Sequence, residues 1–155
     1  MSQNADLSTD IFWFLVRVCV GLIFAYAGFM KLIEPRANFE AALSIYPLIP
    51  FSWLPLISVV IPWCEWIFGS FLILGFLPRF SASVICVLLA GFLILIATGP
   101  LLGGKASEAC GCFGKSGFKI SVKTEFVIDM VSLILAAAMV GKRRFPWSLD
   151  RWLRR

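Results

Sequence analysis

Cys110-Gly111-Cys112-Phe113-Gly114 places two thiols one residue apart in a short polar stretch between long apolar ones. Such a pair can form a reversible disulfide or hold a soft metal ion. A purely structural staple is disfavoured. With three residues in the ring, loop entropy contributes only about 1.6 kcal/mol, against about 3 kcal/mol for a 15-residue loop, before strain is subtracted. Gly111 supplies the backbone freedom that so tight a ring needs. Lys105 and Lys115 favour the thiolate form, and Glu108 opposes them. The reading from residues alone is therefore a redox pair at Cys110 and Cys112, with two rivals left open. One is a soft-metal (copper or mercury) transporter or chaperone, in which Cys64 or Met30 adds a ligand. The other is a membrane assembly factor with no chemistry of its own.

Other residues bear on the same chemistry. Glu65 lies in an apolar segment, flanked by Trp63, Cys64 and Trp66, and Asp129 and Arg17 lie in two others. Charges inside membrane segments are costly and usually face the protein interior, often paired. An ion-pair network that fixes helix packing would explain all three. Proton handling is the functional reading for Glu65 and Asp129, and a relay or resolving role is the functional reading for Cys64. Cys19 and Cys86 read as small apolar residues. Trp63 and Trp66 fit a wall for a quinone, although aromatics of membrane proteins more often form interfacial belts. The chain has no histidine, so the commonest acid–base group and metal ligand is missing.

These residues need a membrane scaffold. Of 155 residues, 60% are hydrophobic and 15% charged, and the mean hydropathy is +0.91; soluble domains carry about 25% charged residues. The pattern predicts an all-α, integral-membrane four-helix bundle forming a single domain over 1–155, with spans at about 11–33, 53–76, 80–100 and 122–141. Each is long enough for a hydrocarbon core of about 30 Å. The last is the weakest, because Glu125 and Asp129 lie in its first half. Gly21, Ala25, Ala27 and Gly28 offer small positions for close helix approach. Lys31, near the end of the first span, is expected to snorkel to the interface. Asn38–Tyr46 predicts a short amphipathic helix lying in the interface after that span. Pro55 and Pro62 predict a kink in the second span, and residues 75–79 predict a tight turn. Residues 1–10 lack the basic region and small-residue cleavage site of a secretory signal, so the first apolar segment is expected to remain.

The net charge of +5 does not gather into one patch, which argues against a nucleic-acid partner and for the lipid bilayer. Six of the fourteen basic residues follow Gly141. Four spans, with that basic tail inside, place both termini in the cytoplasm and the cysteine loop outside. An oxidising outer face suits a disulfide-forming pair.

Three stretches carry a family resemblance. FAYAGFMKLIEPRANFEAALSIYPLIP (Phe24–Pro50), IPWCEWIFGSFLILG (Ile61–Gly75, with Glu65 at the acidic position of a Pro-x-x-Glu motif) and CGCFG (Cys110–Gly114) resemble the methylamine utilisation protein MauE family, in the wider DoxX-like group. The likeness covers about residues 11–141. One departure is Ile128, which precedes Asp129 where the family tends to have arginine. The resemblance implies a four-helix bundle in the bacterial inner membrane, with a layout akin to DsbB and vitamin K epoxide reductase proteins. It also implies disulfide formation in exported proteins alongside a periplasmic thioredoxin-like partner, with a disulfide-containing client and possible coupling to quinone.

Overall fold

The computed structural model describes residues 2–46, 48–98 and 122–141. Five α-helices form in order: α1 (Ser2–Ile33), α2 (Arg36–Leu43), α3 (Leu54–Leu74), α4 (Pro78–Thr98) and α5 (Val122–Gly141), with a single 3-10 turn at Phe51–Trp53 leading into α3. Among the described residues every regular element is helical. The prolines punctuate the chain as their chemistry requires. Pro35 is the N-cap of α2, Pro55 sits in the first turn of α3, and Pro78 opens α4, where a missing N–H costs no helical bond.

Among the described residues, three stretches are long and apolar enough to cross a membrane: Leu7–Ile33, Phe51–Leu74 and Pro78–Thr98. The fourth expected span forms a helix with the expected bounds, Val122–Gly141. α1 begins at Ser2, well before the expected start at residue 11. α2 is earlier and shorter than the expected 38–46, because Pro35 sets its start. It docks on the bundle, burying Phe39 and Leu43. α3 runs through Pro62 without interruption.

Two apolar clusters hold the bundle together. One joins Val20 and Phe24 of α1, Leu72 of α3, Ala82, Ile85 and Leu89 of α4, and Ala136 and Met139 of α5. The other joins Phe39 and Leu43 of α2, Leu54 of α3 and Phe92 of α4. Early residues of α4 thus meet late residues of α3 and α5, which makes successive long helices alternate in direction. The start of α1, the α3–α4 turn and the end of α5 share one end of the bundle. The end of α1, α2, the start of α3, the end of α4 and the start of α5 share the other.

The α1–α3 seam is the tightest. A Cβ added to Gly28 would lie 2.5 Å from the Trp66 nitrogen and 2.7 Å from the Pro62 oxygen; one added to Gly69 would lie 2.5 Å from the Ala25 nitrogen. Only glycine permits such backbone approach. The α3–α4 turn closes with a Schellman pattern. Gly75 adopts φ 72°, and the Phe76 N–H donates to the Phe71 carbonyl at 2.9 Å.

Candidate functional site

The seam brings a lysine and a glutamate together inside the bundle. Gly28 lies three residues, just under one turn, before Lys31 on α1, and its contact with Pro62 and Trp66 sets α1 directly against the Glu65 turn of α3. Lys31 Nζ donates to both carboxylate oxygens of Glu65, at 2.8 Å to Oε1 and 2.7 Å to Oε2. The side chains are 1% and 2% exposed. Lys31 therefore does not snorkel. Leaving Glu65 as a lone charge in an apolar interior would cost far more than bending a lysine inward.

Two rings complete the enclosure. Lys31 Nζ lies 5.3 Å from the Phe39 ring centroid and 5.2 Å from that of Phe92, within cation–π range. Four helices thus converge on one cation: α1 supplies it, α3 its counter-ion, and α2 and α4 one aromatic face each. Two turns toward the start of α3, the buried Ser58 hydroxyl donates to Glu40 Oε1 of α2 at 3.0 Å. Arg36 Nη2 lies 3.9 Å from the same carboxylate oxygen.

The expected site residues divide in their placement. Glu65 points inward, as expected of an intramembrane charge. Asp129 is also buried, on α5. It precedes Ala136 by seven residues, about 10 Å of helix, toward the end of the bundle that holds Lys31. Arg17 is buried too, with its guanidinium 5.3 Å from the Phe14 ring. It stands fourteen residues, about 21 Å of helix, from Lys31 on the same element. Trp63 and Trp66 turn outward from α3, edge-to-face on each other at 5.8 Å, and do not wall the Glu65 site. Cys64 and Cys86 are partly buried and Cys19 is exposed; all three are free thiols. The expectation that Cys19 sits among buried apolar groups is thus corrected: it lies on the outward face of α1. Cys110 and Cys112 lie outside the described residues. Among the described residues, no three His, Cys, Asp or Glu side chains gather closely enough to hold a metal.

Sequence reasoning missed Lys31, Phe39 and Phe92 as members of this site. A signal for Lys31 was present. A buried carboxylate demands a cation at its own depth, and Lys31 stands at the end of α1 that antiparallel packing sets beside the first half of α3.

The family model for the methylamine utilisation protein MauE matches residues 9–142. The chain belongs to this family. The match runs from the first span through the end of α5 and so takes in Lys31, Glu65, Asp129 and the cysteine pair. With its apolar helices, membership makes the chain a multi-pass membrane protein of methylamine utilisation. No curated protein and no solved structure matches it.

Proposed function

We propose that this MauE-family protein is a thiol–disulfide oxidoreductase of the bacterial inner membrane, with Cys110 and Cys112 as its redox pair. The observation that supports this reading is where the connection carrying the pair is anchored. Residues 99–121 join Thr98 of α4 to Val122 of α5. Both helix ends belong to the end of the bundle that holds Lys31 and Glu65. A polar, glycine-rich connection tethered at both ends to packed helices is suited to presenting a strained, exchangeable disulfide at one membrane face.

In this reading a thiolate of a periplasmic thioredoxin-like protein attacks one sulfur of the Cys110–Cys112 disulfide and expels the other as thiolate. A second partner thiolate then resolves the mixed disulfide, leaving the partner oxidised and the pair as two thiols. Reoxidation of Cys110 and Cys112 releases two electrons and two protons, which a quinone would accept, and the partner passes its disulfide to an exported client. The basic tail after Gly141 supports an orientation with both termini in the cytoplasm and the cysteine connection in the periplasm.

The test is the redox state of the pair in growing cells, trapped by acid and read by thiol-specific mass tagging. The expected result is a Cys110–Cys112 disulfide that becomes reduced when quinone is depleted. Cys110→Ser or Cys112→Ser should stop client oxidation and trap a mixed disulfide. A pair that stays reduced whatever the quinone supply, or full activity in either variant, would overturn the proposal.

A further inference from the structure

Burying a lysine and a glutamate together is a poor way to stabilise a bundle. Apolar groups of the same volume are often neutral or better. In membrane segments, ionisable residues of this kind mark ion and proton routes. The surroundings of Glu65 contain the outer part of such a route. Exposure falls from Arg36 (63%) through Glu40 (33%) to the buried Ser58 and then Glu65. The first three are linked by the Ser58–Glu40 hydrogen bond and the Arg36–Glu40 contact.

Between Ser58 and Glu65, on the same buried face of α3, stands Pro62. Proline has no N–H, so the Ser58 carbonyl loses the donor that residue 62 supplies in an ordinary helix. Lys31 has three N–H donors and gives two to Glu65. A carbonyl without its helical donor, a hydroxyl and an ammonium N–H are the kind of polar partners that a buried water uses.

We propose that Glu65 is a proton-binding site in exchange with the membrane face at which α2 lies, by way of Glu40 and Ser58, with Lys31 as its counter-cation. In the step, a proton passes the Glu40 carboxylate and Ser58 hydroxyl to the Glu65 carboxylate, which becomes a neutral carboxylic acid. The O–H bond formed at Glu65 replaces one broken in a hydronium ion at the membrane face, which is left as water, and no electron moves. Lys31 stays in place, held by the faces of Phe39 and Phe92 while its carboxylate is neutralised. The charged and titratable groups described at this end of the bundle are Lys31 at the end of α1, Glu34 in the turn after it, Arg36 and Glu40 from α2, Tyr46 after α2, Cys64 on α3 itself and Asp129 from α5. α4 contributes Phe92, and its one charged residue, Arg79, lies at the other end of the bundle. The route uses no cysteine, so the inference stands or falls apart from the oxidoreductase reading.

Infrared difference spectroscopy of the full chain in lipid vesicles, stepped in pH in light and heavy water, tests this directly. The expected result is a carboxylic acid C=O band that titrates, shifts in heavy water and is absent from Glu65→Gln. In Glu40→Gln and in Ser58→Ala the band should persist, with hydrogen–deuterium exchange slowed about tenfold or more, equivalent to about 1.4 kcal/mol in the barrier. Should Glu65→Gln not fold, the apolar double variant Lys31→Met/Glu65→Leu provides the band assignment. A spectrum with no titrating band assignable to Glu65 would overturn the proposal, as would exchange unchanged in both Glu40→Gln and Ser58→Ala.

Discussion

At Lys31 and Glu65 the two single substitutions and the double one should behave very differently. Lys31→Met leaves a carboxylate buried without its cation, and Glu65→Leu leaves the cation without its carboxylate. Breaking a buried pair in this way costs about 3–5 kcal/mol. Each single variant should therefore unfold at markedly lower denaturant in detergent or lipid, and the double variant should recover most of the loss. If the singles and the double prove equally stable, the pair is not the polar keystone its burial indicates. Phe92→Leu should produce a smaller loss, about 0.5–2 kcal/mol for one cation–π face, beyond the change in packing. These residues also show what a sequence can carry at this scale. Glu65 is conspicuous because a carboxylate in an apolar run must find a partner. Lys31 is not, because a lysine near the end of a span has an ordinary interfacial role. Only the depth at which α1 meets α3 decides between the two, and that depth is set by Gly28.

Helix by helix, the glycines divide by what surrounds them. Gly28→Ala and Gly69→Ala would drive a methyl into backbone atoms at 2.5 Å, so each should open the α1–α3 seam. Gly91 has nothing within 4 Å of a built Cβ, so Gly91→Ala should be neutral or stabilise α4 by about 0.5–1 kcal/mol through backbone entropy. Thermal unfolding of the three variants checks the contrast; equal destabilisation by all three would contradict the seam. The long helices were readable because each is an apolar run closed by a polar or proline-rich stretch. The small stripe on α1 was readable as a contact face, though its partner was not. The start of α2 was misplaced, since apolar spacing over residues 39–46 outweighed the capping position of Pro35. Pro62 leaves α3 continuous, since a helix packed along its length against α1 tolerates one missing hydrogen bond.

For the molecule as a whole, alternating helix directions put α2 and the α3–α4 turn on opposite membrane faces. Single cysteines introduced at Ala41 and Leu77, both exposed, into a chain otherwise free of cysteine should label from opposite sides with a membrane-impermeant thiol reagent. Labelling of both from one side would refute the arrangement. All-α architecture and membrane residence were legible from composition alone, because so few charges leave no other solvent for the chain. The fourth segment was legible as a helix, Val122–Gly141, because its apolar second half carries the pattern past Glu125 and Asp129.

The α1–α3 seam has a consequence for the lipid around it. Helices whose backbones approach as closely as they do at Gly28 and Gly69 leave no room for an acyl chain between them. Solvating lipid therefore meets α1 and α3 as one continuous surface, carried by the outward Leu15, Leu22, Phe29, Val60, Trp63 and Trp66.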